Sequence, residues 1–459
     1  MERKNAWKTY DENNLNELQT LNSEYIEYLS DGKTERECVK LTVKAAEKMG
    51  YRNMADLIKS KAVLKPNDKV YSQFMGKTIA LFHIGSEPIE NGMNILGAHI
   101  DSPRLDLKQN PLYEDGDFAL LDTHYYGGIK KYQWVTIPLA LHGVVAKKDG
   151  SLIEIVVGED EKDPVIAISD LLIHLSADQM QKTAAKVIEG EELNIIIGSR
   201  PDNDTEKEAV RARIMAIITE KYGFDEEDFI SAEIEVVPAG RARDMGLDRS
   251  MVIGYGQDDR VCAFTSMKAL LELKTAPRLT ACCLLTDKEE VGSIGATGAE
   301  SSFFENSVAE LMELLGQYTE LKLRRALTNC NMLSSDVSAG FDPTFASVFE
   351  KKNAAFLGRG VCFNKYTGSR GKSGSNDSNA EYVAYVRKIM DENGVNFQTA
   401  ELGKVDAGGG GTIACVSAKY GMQVIDSGVA VLAMHSPWEI TSKADIYEAK
   451  RAYLAFLLA

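Results

Sequence analysis

The stretch "LTACCLLTDKEEVGS", residues 279–293, decides the fold. "LTACCLL" is a continuous apolar run of strand length, and it reads as a buried strand. Two adjacent glutamates, Glu289 and Glu290, leave its end. Neighbouring side chains on a strand point to opposite faces. Two carboxylates departing together are therefore either solvated loop residues or two parts of one site. Taken alone, the pair reads more readily as surface loop.

Outward from this strand the texture alternates. Upstream lies the helical pattern "DDRVCAFTSMKALLELK". Downstream come a helical stretch through "VAELMELLGQY", the strand "NCNMLSS" and the helix "DSNAEYVAYVRKIMDENG". The strands "NFQTA" and "GMQVIDSG" and the helix "SKADIYEAKRAYLAFLL" close the chain. Near the start, two helical segments precede the strands "KTIALFHIG" (77–85) and "MNILGAH" (93–99). This alternation specifies an α/β fold with a mixed, largely parallel sheet flanked by helices.

Between the two parts the pattern changes. "LHGVVAKKDGSLIEIVVG" is a hairpin signal with Asp149-Gly150 at the turn. "SDLLIHLSADQMQKTAAKVI" (169–188) starts with cap residues and is expected to run as a helix. Strands "ELNIIIGS" and "ISAEIEVVPAG" flank the helix "TEKEAVRARIMAIITEKYG". Residues 105–246 are thus expected to form an inserted smaller α+β domain, splitting a main domain of residues 1–104 and 247–459.

The chain has 459 residues, too many for one ordinary core, which agrees with two domains. A net charge of -16 argues against nucleic acid or an anionic membrane surface as partner, since both demand a basic face. No apolar run reaches bilayer-spanning length. The start "MERKNAWKTYDENN" lacks the apolar core of a secretory signal. The seven cysteines form no C-x-x-C pattern and read as buried thiols, so a cytoplasmic location is expected.

Six histidines are few enough to weigh singly. His99 ends a strand in "GAHIDSP", with Asp101 two residues on. A ligating histidine commonly gives its other ring N–H to a carboxylate, though a hydrogen-bonded histidine beside a turn aspartate reads as well. Asp258 and Asp259 open a helix, where a cap is the plainer reading. Asp336 and His435 each follow an apolar strand. Together, His99, Asp258, Glu289, Glu290, Asp336 and His435 gather where open α/β sheets build their sites, at the carboxyl ends of strands. Two histidines with several carboxylates and no thiolate suit zinc, cobalt or manganese. Two such ions about 3.5–4 Å apart need a bridging carboxylate, and hydrolases use such pairs.

In this order, and with a long insert after the first, "AHIDSPRLDLK", "DKEEVGS", "SSDVS" and "LAMHS" resemble the aspartyl aminopeptidase / aminopeptidase I family of clan MH. The resemblance covers nearly the whole chain. It implies a metalloaminopeptidase with two divalent ions per subunit, zinc first, acting on peptides. One ion would be held by His99 and Asp336, the other by Glu290 and His435, with Asp258 bridging. Glu289 matches the family's general base and Asp101 the carboxylate that orients His99. By the same resemblance the insert is a dimerisation domain. Its His174 would reach a neighbouring subunit's active site, whereas the residues alone favour a core histidine on an apolar helix face. The assembly implied is a homo-oligomer, a tetrahedral dodecamer.

The chain departs from the family pattern in places. Asp259 stands where asparagine is usual, and Asp342 near a turn that often carries histidine. Lys365 lies near the family's acid-recognising residue, competing with Arg370 and Lys372, and all three also read as a solvated basic loop. "GGGGT", with Gly410 inside it, resembles the family's substrate wall. Two readings compete with the aminopeptidase: another clan MH hydrolase (a deblocking or glutamyl aminopeptidase, or a deacylase), and a non-catalytic assembly protein.

Overall fold

The structure is a computed structural model describing residues 4–368 and 371–459. Arg370 lies outside the described residues. The chain divides into two compact units. The first comprises Met1–Asp101, Ala242–Met434 and Glu439–Ala459; the second comprises Ser102–Arg241 with the short segment His435–Trp438.

The first unit is built on a nine-stranded mixed sheet. At its centre Thr280–Thr286, Met93–His99, Asn331–Ser334 and Gln423–Gly428 run parallel as neighbours. Antiparallel partners, Thr78–His83 and Val361–Asn364, flank this block. Alternation along the central strands feeds two cores. Leu96 and Cys283 join one with Tyr25, Phe264 and Phe456, while Ile95 and Cys282 join the other with Val308 and Leu327. Helices therefore cover both faces. The adjacent cysteines face opposite cores, and every cysteine among the described residues is a free thiol.

The helices Gln257–Leu271 and Lys443–Leu458 are buried almost all round, charged residues such as Arg260, Asp445 and Glu448 included. Glu12–Asp31 and Glu35–Lys48 start with capping boxes, Asp11 with Asn14 and Thr34 with Glu37, which satisfy free N–H groups of the first turn. A five-stranded sheet completes this unit, including Met251–Gly254 and Glu439–Ser442 as antiparallel neighbours. Among the described residues, no helix is long and apolar enough to cross a membrane.

The second unit carries a six-stranded antiparallel sheet and the helix Ala209–Tyr222. Its hairpin joins Leu139–Ala146 to Leu152–Val157, with Gly150 at φ 87° in the turn. The helix expected over 169–188 does not form. Only single 3-10 turns appear there, Ile173–Leu175 and Gln179–Gln181. Asp170 takes the Leu171 N–H and the Gln179 side-chain amide, binding the segment locally. The apolar residues Leu171, Leu172, Ile173 and Leu175 are exposed instead of covering a core, so the packing that stabilises most helices is missing.

Candidate active site

The parallel register brings three strand ends to one level. Thr286 pairs with His99, and Ser334 with Gly97, so "DKEE" and "SD" leave the sheet beside His99. Asp336 is set by a close approach: its N–H donates to Ser427 O at 3.2 Å, and a Cβ on Gly428 would lie 1.9 Å from Asp336 O. Only glycine admits that crossing.

Asp101 is the hub of the glutamate turn. Its two carboxylate oxygens accept the N–H groups of Glu289 and Glu290, each at 3.1 Å. The turn itself uses left-handed backbone at Lys288, φ 71°, and at Gly292, φ 95°. This is how the chain aims two consecutive carboxylates at one place. Asp101 also fixes the His99 ring, whose Nδ1 faces Asp101 O at 3.0 Å and Oδ1 at 3.3 Å. That sets Nδ1–H as the donor and leaves Nε2 facing Asp258 Oδ1 at 3.2 Å, Glu289 Oε2 at 3.9 Å and Asp336 Oδ1 at 4.0 Å.

Asp258 and Asp259 have non-helical backbone at the head of Gln257–Leu271, and the peptide between them is cis. Glu439 holds them in place. Its carboxylate accepts the Asp258 N–H at 3.0 Å, and its carbonyl accepts the Gln257 side-chain amide at 2.6 Å. Asp259 Oδ2 accepts the His99 backbone N–H at 3.3 Å. The acidic pair is therefore more than a helix cap.

Three overlapping groups have ligand atoms within 4.8 Å of one another: His99, Glu289 and Asp336; His99, Asp258 and Glu290; Asp258, Asp259 and Asp336. Imidazole nitrogen with carboxylate oxygens is a donor set for a borderline divalent ion. Electrostatics point the same way. Burial pushes Asp336 well above the usual carboxylate range, and the charges of Asp259 and Glu289 push it further. Burial likewise raises Asp259, against the pull of His99. For His99, burial opposes the charged ring, but Asp101, Asp258 and Glu289 outweigh it and hold the imidazole well above its ordinary value. Gathering several buried anions costs several kcal/mol each unless a cation is among them. Protons serve that role among protein groups alone, and divalent cations fit it better.

The other candidates are not members of these three groups. His435, half-buried with φ 64°, belongs to the second unit, where its Nδ1 meets Gly128 O at 2.9 Å. His174 is exposed on its 3-10 turn, which corrects the reading of a core histidine on a helix face. Lys365 and Lys372 each reach Asp377 at 2.8 Å. Lys365 also lines a 250 Å³ cavity with Phe363, Arg387 and Glu401, and no residue of the three groups borders it. Asp342 caps the turn at Pro343–Val348. Gly410 sits where an added Cβ would meet only Leu402 Cδ2, at 3.9 Å.

Two supporting residues escaped the sequence reading. Glu439 follows "SPW" with no local signal of its role. Asp287 did have one, its place beside the glutamate pair. It accepts the Lys288 N–H at 2.7 Å and the Thr297 hydroxyl, stiffening the turn. Burial, then the charges of Glu35 and Asp101, push its carboxyl up to about 7.

The site can be compared with known proteins. The family model described as aminopeptidase I zinc metalloprotease (M18) matches residues 28–457. A "Probable M18 family aminopeptidase 1" of Clostridium acetobutylicum is 62% identical over 457 residues, covering 99% of this chain and 98% of its own. The crystal structure of an M18-family aminopeptidase from Thermotoga maritima superposes with a TM-score of 0.95 at 45% identity, covering 100% of this chain and 99% of that one. The S. cerevisiae mApe1 dodecamer structure shares the fold at a TM-score of 0.77 and 20% identity, covering 96% of this chain and 97% of that one.

Proposed function

The chain belongs to the aminopeptidase I (M18) family of zinc metalloproteases and is a metal-dependent aminopeptidase; from that premise we propose that it releases N-terminal residues from short peptides, with Glu289 as general base at a two-ion centre. The observation that carries this reading is the Asp101 hub, which aims Glu289 and Glu290 at the same buried cluster. His99, Asp258, Glu290 and Asp336 would hold the ions, with His435 added by family resemblance. Divalent cations held there would acidify a water and polarise the scissile carbonyl.

The side chains divide the remaining work. Glu289 is 14% exposed, open enough to meet a substrate and buried enough to act in low dielectric. It takes the proton from the attacking water and hands it to the departing amine. Asp101 holds the backbone of that turn, so the Glu289 carboxylate stays on the cluster through both transfers. The surrounding carboxylates favour a free, positively charged α-amine, which makes the reaction an exopeptidase one. Lys365 is already paired with Asp377, so the proposed side-chain preference is neutral rather than acidic.

We further propose a homo-oligomer. Ile173 and Leu175 are each 68% exposed, beside exposed Leu171, Leu172 and Met180. Contiguous apolar exposure of this kind marks a protein interface. Dodecameric assembly is recorded for the yeast fold relative. In that arrangement His174 would donate to the substrate oxyanion of a neighbouring subunit.

The test is a metal-stripped sample reloaded with zinc, cobalt or manganese. It is assayed on leucyl, methionyl and aspartyl anilides, each free and N-acetylated. The expected result is two ions per chain and cleavage of free neutral substrates. A single ion per chain sinks the two-ion reading, and cleavage of acetylated substrates alone removes the exopeptidase action proposed for this site.

A further inference from the structure

The glycine run ends at Thr412, whose hydroxyl does two things. It accepts the Ala414 N–H at 3.3 Å, capping the short helix Ile413–Ser417. It also donates to Asp426 Oδ1 at 2.6 Å. Asp426 is buried on Gln423–Gly428, and the same oxygen accepts the Ser334 hydroxyl at 3.3 Å. Ser334 ends the strand that leads, two residues later, to Asp336. Asp426 Oδ2 is buried and takes no hydrogen bond from the described residues. Burial pushes this carboxyl up to about 7, against the pull of Thr412 and Ser334. A buried carboxylate so placed needs a reason, because replacing it with an apolar side chain would remove its desolvation cost.

The loop supplies one. Its upstream half is fixed by the N–H groups of Ala407 and Gly408, both donating to Lys404 O at 2.9 Å, and by Lys404 N–H to Val348 O at 3.0 Å. Its downstream end is fixed at Thr412. Between the anchors, Gly409 needs glycine for its backbone, at φ 126°, but packing does not demand glycine at Gly410 or Gly411. A Cβ on Gly410 would meet only Leu402 Cδ2 at 3.9 Å, and one on Gly411 only Gly374 O at 3.6 Å. Glycine that packing does not require leaves room for a ligand backbone to approach.

We infer that Asp426, acting through Thr412, is the positioning residue that sets the glycine loop as a wall of the substrate site, tying that wall to the strand that carries Asp336. This rests on the reading of the loop as substrate wall. Asp426 touches no reacting atom, so its effect belongs in substrate binding rather than in chemistry.

The experiment compares Thr412→Val, Thr412→Ser, Asp426→Ala and Asp426→Asn in the metal-loaded enzyme. Readouts are KM and kcat on a neutral aminoacyl anilide, bound metal, and the melting midpoint. Thr412→Val and Asp426→Ala are each expected to raise KM by roughly tenfold, with kcat and metal content held. Asp426→Ala keeps the Thr412 cap, which separates the anchor from the helix start. Thr412→Ser restores the donor and Asp426→Asn the acceptor, so both should recover a KM near the parent value. An unchanged KM in Thr412→Val and Asp426→Ala overturns the inference. So does a joint loss of kcat and metal at constant KM, which would assign Asp426 to the Asp336 strand instead. Gly410→Val tells the two failures apart. A raised KM there, with silent anchor variants, keeps the wall and removes the anchor; no change removes the wall itself.

Discussion

The strand-end cluster of the first unit and the 171–180 segment of the second break the ordinary pattern of burial in opposite directions. His99, Asp101, Asp258 and Asp259 are charged or polar and buried. Leu171, Leu172, Ile173, Leu175 and Met180 are apolar and exposed. The first arrangement is held by many specific hydrogen bonds, because a buried charge without partners is costly and is driven toward its neutral form. The second is held by little more than Asp170 and two single turns. One region is therefore fixed by its own hydrogen bonds, and the other would take its stability from the partner surface proposed to cover it. Substitutions should cost much in the first and little in the isolated chain in the second.

The sharpest test of the buried side is Glu289→Gln. The amide keeps the shape and cannot take a proton, so kcat should fall about 10³-fold while KM and bound metal hold. Undiminished turnover would remove Glu289 from the role of base. Next in size is Asp101→Asn. One of the two turn N–H groups then meets a donor instead of an acceptor, and the His99 ring loses the carboxylate charge beside it, keeping the Asp101 carbonyl as its acceptor. Affinity for zinc, read by chelator competition, should weaken by roughly 10–100-fold. Equal affinity would show that the turn holds without its hub.

On the exposed side, Ile173→Asp adds charge to a residue 68% exposed. Unfolding stability of the single chain should move by no more than about 0.5 kcal/mol. Assembly mass by light scattering should drop. If mass holds, the exposed apolar segment is not the oligomer contact, and the contrast between the regions loses its functional half.

The smallest effect concerns pH. The Asp426 carboxyl is raised to about 7 in the fold, above the roughly 4 of an unfolded aspartate. The folded chain thus binds the extra proton across that window. Its contribution to stability is full below about pH 4 and is lost as pH rises through about 7. Asparagine carries no such proton. The melting midpoint of Asp426→Asn should therefore change less between pH 4 and 7 than that of the parent, and parallel curves would assign the proton elsewhere.

Much of this was legible in the chain. The apolar runs ending in His99, Thr286 and Ser334 announced a sheet whose strand ends share a level, and their polar followers named the cluster. The 169–188 stretch misled, since its cap residues and apolar spacing are those of a helix. Periodicity records which residues are apolar, and whether a core is present to receive them depends on the rest of the unit. Glu439 was invisible for a related reason: it acts through one carboxylate bond to the Asp258 N–H, across a separation that no local pattern encodes.

The sequence by itself determined the class of fold, and it pointed to the type of chemistry and to most of the residues proposed to carry it. Strand period, turn residues and side-chain acidity are local properties. The tertiary structure alone decided how the glutamate pair is aimed. Asp101, distant in sequence, accepts both amide N–H groups and turns two neighbouring side chains toward one centre. The same holds for Asp426 and Thr412, fourteen residues apart yet joined by one hydrogen bond. Such bonds form only when the sheet has brought their partners together, because a lone polar pair in water gains too little to fix a chain.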